Sequence, residues 1–107
     1  METLSGTEFL NYHHLRYFWT VAKEGSLRGA AEKLKISQPS ICTQVKLLEA
    51  SLGEDLFRPS GRSLVLTEFG QLVFGYAEEI FTLGGEILRA TQQAPSVRLL
   101  KLHVGIV

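Results

Sequence analysis

From Asn11 onward the apolar positions follow a helical period. Leu15, Phe18, Trp19 and Ala22 recur at steps of three and four in NYHHLRYFWTVAKEG, which predicts a first helix with those residues on its inner face. Gly25 stands where a left-handed residue would stop it. Ser26 is placed to cap a second helix, on which Leu27, Ala30, Ala31 and Leu34 form an i, i+3, i+4, i+7 set. Its two alanines let a neighbouring helix approach closely. Only Lys35 and Ile36 separate that helix from Ser37, a second capping residue, so a third helix is expected from Ser37 to near Gly53. Pro39 falls in its first turn, where amides have no intrahelical partner to lose.

The pattern then changes. Leu56-Phe57-Arg58 and Ser63-Leu64-Val65-Leu66 bracket the turn-forming tetrad Pro59-Ser60-Gly61-Arg62, which predicts a two-stranded hairpin. Thr67 is expected to cap a long helix with Glu68 in its first turn. Along it Phe69, Val73, Tyr76, Ile80, Leu83 and Ile87 step by alternate fours and threes toward Pro95. Such a stripe, about six turns at 5.4 Å each, exceeds what a small domain needs for its own core. It predicts a homodimer paired through this helix. Leu100, Leu102, Val104 and Ile106 alternate with Lys101, His103 and Gly105, a strand without a sheet, so the chain is expected to be cut from a longer protein.

Helix, two-residue turn, helix is the helix-turn-helix arrangement, whose second helix enters the DNA major groove N-terminal end first. The third helix is patterned for that. With Ile41 as zero and 100° per residue, Val45, Leu48 and Leu52 fall within about 40° of it, whereas Pro39, Thr43 and Lys46 point nearly opposite. Cys42 lies on the flank, and Gln38 can project from the free end toward base edges. The bare amides of the first turn, around Ser37, Gln38 and Ser40, suit a phosphate.

Charge supports the same side. The 107 residues carry 11 Lys+Arg and 11 Asp+Glu, so net charge is zero and gives no global hint of a polyanionic partner. Locally, Arg28, Lys35, Lys46, Arg58 and Arg62 gather around the second and third helices and the hairpin, while Glu78, Glu79 and Glu86 lie on the long helix. Cys42 is the single cysteine, so an intrachain disulfide is excluded and a reducing cytoplasm suits the chain. Beside a helix N-terminus it is a candidate redox sensor, but an inert small residue is the simpler reading. His13 and His14 are adjacent and so do not share a helix face as metal ligands would. Trp19 and Phe18 are expected in the core. No apolar run approaches the about 18 residues a membrane span needs.

The segments SLRGAAEKLKISQPSICTQVKLLEASLGEDLF, RPSGR and LTEFGQLVFGYAEEI resemble the LysR-type transcriptional regulators, from roughly Asn11 to Gln93. Within that family, YHHLRYFWTVAKEGS and FTLGGEIL are most similar to the sodium/proton antiporter activators. The resemblance implies a mainly α fold: a winged helix-turn-helix DNA-binding domain at 11–66, a linker (dimerisation) helix at 67–94, and at 95–107 a hinge and the first strand of a truncated effector-binding domain. It implies double-stranded DNA as partner, and a small-molecule or ion effector acting only through the absent C-terminal domain. The family's recognition helix reads Gln-Pro, two variable positions, then Ser-Arg-Gln. Gln38, Pro39 and Gln44 match, but Cys42 and Thr43 replace the serine and arginine.

The expected DNA-facing set is therefore Ser26, Arg28, Ser37, Gln38, Pro39, Ser40, Cys42, Thr43, Lys46, Arg58 and Arg62. No cofactor is expected, no membrane partner, and no enzyme activity: the chain has no Gly-rich phosphate loop, paired carboxylate motif or nucleophile–base set. A helical dimerisation or protein-interaction module that keeps a winged fold without binding DNA stays open as an alternative.

Overall fold

The computed structural model describes residues 10–61 and 63–93. In chain order they form α1 (Tyr12–Glu24), α2 (Leu27–Leu34), α3 (Gln38–Leu52), β1 (Phe57–Ser60), β2 (Ser63–Leu66) and α4 (Glu68–Gln93). The chain divides into two compact units, Met1–Ala77 and Glu78–Val107, with the boundary inside α4. The hinge and strand expected at 95–107 lie outside the described residues.

Local chemistry sets the helix ends. Asn11, Ser26 and Ser37 each accept a hydrogen bond from the N–H three residues on, those of His14 (3.0 Å), Gly29 (3.0 Å) and Ser40 (3.2 Å). Each satisfies an amide that the helix itself cannot. Gly25 and Gly53 adopt φ 79° and donate their N–H groups to the Val21 and Glu49 carbonyls, as C-terminal stops. α2 ends differently, on Lys35 at φ 61°, the one left-handed non-glycine among the described residues. The N–H groups of Lys35 (2.8 Å) and Ile36 (3.3 Å) both donate to the Ala31 carbonyl. That tight reversal lets α3 start after only Lys35, Ile36 and Ser37.

The core of the first unit is the meeting of α1, α2 and α3, which pack on one another in every pairing. Leu15, Phe18, Val21, Ala30, Ile41, Val45, Leu48 and Leu56 are buried in it. On α1 the inner face is rotated from the one expected. Val21 is buried, whereas Trp19 and Ala22 are half-buried, so the face centres on Phe18. The cause is β1: the Phe18 and Phe57 rings pack with centroids 5.3 Å apart, tilted by 53°. Trp19 is thus not a core residue; its ring carries the Lys23 ammonium 4.6 Å from the centroid.

β1 and β2 pair antiparallel, Phe57 opposite Leu66 and Ser60 opposite Ser63. Only positions 61 and 62 connect them, so the turn is tighter than the Pro59–Arg62 tetrad expected. Gly61 supplies φ 63°, the sign that two-residue hairpin turns demand. Pro59 sits inside β1, tolerated because a strand of a two-stranded sheet always has a free edge. Thr67 joins the hairpin to α4. Its hydroxyl donates to the Asp55 carbonyl (2.7 Å) and accepts the Gly70 N–H (2.9 Å), while its own N–H donates to the Leu56 carbonyl (3.0 Å). Gly70 is buried there, and a Cβ on it would strike the Leu56 carbonyl.

Candidate nucleic-acid interface

α3 is two-faced. Ile41, Val45 and Leu48 are buried, while Gln38, Pro39, Ser40, Thr43 and Lys46 are exposed and Cys42 is half-buried on the flank. The division follows the spacing of the sequence because the apolar set occupies one side of a regular 3.6-residue helix. In the first turn, the Ser37 hydroxyl donates to Ser40 Oγ (2.9 Å) while accepting the Ser40 N–H. One turn on, the Thr43 hydroxyl donates to the Pro39 carbonyl (3.0 Å). From Ser37 to Thr43 the exposed side is thus short and internally hydrogen-bonded, a shape that permits close approach of another molecule, while the longer Lys46 and Leu47 stand exposed beyond it.

The remaining expected residues surround it. Ser26 is the cap of α2. Arg28 projects from α2 with its Nε 3.7 Å from Glu32 Oε2, both side chains being mostly exposed at 82% and 74%. A surface pair of this kind contributes at most a few tenths to about 1 kcal/mol, so Arg28 can exchange it for another anion. Lys46 and Cys42 line a cleft of about 350 Å³ between α3 and the hairpin, with Leu27, Glu49 and Pro59. Arg58 is exposed but lines a different cleft, with Val21, Gly25, Ser60 and Gln71. The hairpin arginine is therefore not brought into the α3 cleft. Arg62 lies outside the described residues.

Glu49 escapes sequence reasoning. Its Oε2 accepts the backbone N–H groups of Leu56 (2.8 Å) and Phe57 (3.3 Å), fastening the start of the hairpin to α3. The partners are seven and eight residues away across a turn, and nothing local marks that glutamate. Lys35 lies in the expected turn between the helices, but its left-handed backbone carries no side-chain signal.

On α4, the part within the first unit buries Gly70 and Ala77, half-buries Phe69 and Val73, and exposes Leu72 (54%) and Tyr76 (59%). Within the second unit Ile80 is half-buried, while Leu83 (58%), Ile87 (60%) and Leu88 (62%) are exposed. Leu72, four residues before Tyr76 and on the same side of the helix, is an exposed apolar position that the four-and-three stepping passes over. Among the described residues, no three His, Cys, Asp or Glu side chains are placed to hold a metal ion, and no helix is long and apolar enough to cross a membrane.

Comparison with known proteins places this arrangement. Residues 12–71 match the model of the bacterial regulatory helix-turn-helix proteins of the lysR family. The transcriptional activator protein NhaR of Escherichia coli (strain K12) is 48% identical over 97 residues, covering 91% of this chain and 32% of that protein. A probable RuBisCO transcriptional regulator of Synechocystis sp. is 41% identical over 91 residues, covering 85% of this chain and 26% of that protein. The chain thus spans about a third or less of the length of these curated relatives. Among solved structures, the CbnR DBD–DNA complex is similar with TM-score 0.70 and 35% identity, covering 79% of this chain and 98% of that one. The BenM DBD/catB site 1 DNA complex is similar with TM-score 0.74 and 32% identity, covering 80% and 97%. With its helix-turn-helix, its hairpin and the helix that follows all accounted for, the chain belongs to the LysR family of bacterial regulatory helix-turn-helix proteins.

Proposed function

We propose that this chain is the sequence-specific, double-stranded DNA-binding part of a dimeric cytoplasmic transcription regulator and has no enzyme activity. α3 enters the major groove with its N-terminal end leading. Gln38 and Thr43 meet base edges, Pro39, Ser40 and Cys42 allow the close approach, and the amides near Ser37 with Ser26, Arg28 and Lys46 meet phosphates. Arg58 and Arg62 add hairpin contacts to the backbone or minor groove. The observation that carries this is the exposed face of α3, where short polar side chains stand opposite Ile41, Val45 and Leu48. A face meant only for solvent has no need to be so low at its leading end. The similarity to chains solved on DNA supports the same assignment.

Two copies pair through α4, burying the exposed Tyr76, Leu83 and Ile87 with Phe69, Val73 and Ile80. Effector recognition resides in sequence beyond this chain, as its share of its relatives' length suggests. Titration of duplex DNA at several salt concentrations tests DNA binding. Affinity should fall steeply with salt, and Lys46→Ala should reduce the slope of log affinity against log salt by about one unit per half-site. Salt-independent binding, or none, would leave a protein-interaction module as the better description.

A further inference from the structure

The outward face of α3 carries one side chain whose hydrogen-bonding state is already decided. Thr43 Oγ1 donates to the Pro39 carbonyl at 3.0 Å, one turn back along the same helix. Besides hydrogen, the threonine Cβ bears only a hydroxyl and a methyl. With the hydroxyl turned onto the helix's own carbonyl, the methyl is the heavy group left to face outward. Thr43 is exposed, and at 100° per residue it lies about 160° from Ile41, directly away from the core. Pro39 and Ser40, one turn nearer the leading end, are small and exposed, so on that side nothing holds a partner surface off this methyl; the longer Lys46 and Leu47, also exposed, lie one turn toward the trailing end.

Resting on the DNA-binding function proposed above, we infer that Thr43 reads the 5-methyl group of a pyrimidine in the major groove, and so selects thymine at one position of each half-site. Thymine is the one unmodified base that presents an apolar group there. Guanine offers only acceptors, and a hydroxyl spent on Pro39 has no proton to give them. The hydroxyl lone pairs remain and would favour adenine or cytosine amino groups. Against them stands the methyl, the Thr43 group left to face outward once the hydroxyl turns back onto the Pro39 carbonyl. Methyl-to-methyl contact also needs no rearrangement of the 3.0 Å bond, whereas donating to a base would break it. A cytosine methylated at C5 presents the same group and should be accepted in thymine's place.

The test uses the whole chain at one salt concentration. A half-site library identifies the favoured duplex, and each thymine in it is then replaced by uracil, which lacks only the methyl. One uracil position per half-site should weaken binding about fourfold, the value of one methyl group removed from water. Replacement by 5-methylcytosine, paired with guanine, should weaken it less than replacement by cytosine. The uracil effect should vanish in Thr43→Ser, which keeps the hydroxyl, and return in Thr43→Val, which keeps the methyl. If thymine and uracil duplexes bind equally at every position, or if Thr43→Ser retains the uracil effect, Thr43 does not read the methyl although DNA binding stands. A preference for adenine or unmethylated cytosine opposite Thr43 overturns it in favour of the hydroxyl. Absence of any selected duplex overturns the DNA-binding function itself, and this inference with it.

Discussion

The carboxylate of Glu49 on α3 accepts the backbone N–H of Leu56 at 2.8 Å, so that one side chain ties α3 to the hairpin. Its neighbour Phe57 donates to the same oxygen, and Phe57 in turn packs on Phe18 of α1. Removing the carboxylate leaves two part-buried N–H groups without an acceptor. Glu49→Ala should therefore lose about 1–3 kcal/mol in denaturant unfolding. Glu49→Gln, which keeps a carbonyl oxygen in place, should lose less. Equal stabilities for all three proteins would mean that the contact holds nothing together.

Two glycines of α4 should respond to alanine with opposite signs. In an ordinary helix interior the change gains up to about 1 kcal/mol. Gly75 has open space around the position of a Cβ, so Gly75→Ala should show that gain. At Gly70 the new Cβ meets the Leu56 carbonyl, which Thr67 already uses as an acceptor. Backbone cannot give way as a flexible side chain does, and overpacking of this kind costs about 1–3 kcal/mol. Thermal melts of both variants check the pair: a stabilised Gly70→Ala would show that the hairpin base is looser than the contacts imply.

The helix boundaries were legible because their causes are local. Ser26, Ser37 and Thr67 accept amides within three residues, and Gly25 and Gly53 stop helices by their own backbone freedom. The inner face of α3 was legible because Ile41, Val45 and Leu48 follow a single clean period. Features set by distant neighbours were not. The turn of the buried face of α1 toward Val21, with Trp19 partly out, goes with the packing of Phe18 on Phe57, 39 positions further on and on another element. The hairpin register is fixed by pairing of Phe57 with Leu66, so Pro59 joined a strand although its chemistry marks a turn. Lys35 took a left-handed conformation that favours glycine because the short link from α2 to α3 demands it. Glu49 reaches past Gly53 to its partners, a contact no periodicity encodes.

The proposed pairing through α4 predicts a simple disruption. Leu83 and Ile87 are 58% and 60% exposed in one copy, and a carboxylate buried at either place has no partner. Leu83→Glu with Ile87→Glu should convert a dimer to monomers in sedimentation velocity. The first unit should keep its thermal unfolding transition, since its core residues Phe18, Ile41 and Leu48 are untouched. A dimer that persists unaltered would place the interface elsewhere. Leu72→Glu, four residues before Tyr76 and at 54% exposure, should weaken dimerisation too.

The most direct measurement is selection from a randomised half-site library, at one fixed salt concentration, by the native chain, Gln38→Ala and Lys46→Ala. Gln38 stands exposed at the leading end of α3, where a bidentate contact to adenine is worth about 1–3 kcal/mol of discrimination. Lys46 is exposed three residues beyond Thr43 and has the reach of a phosphate ligand. If α3 reads the bases, Gln38→Ala should erase the preference at one position of each half-site, while Lys46→Ala should weaken all sequences alike and leave the selected motif unchanged. The same uniform loss in both variants, with no change of motif, would contradict the assignment of α3 as the element that reads sequence.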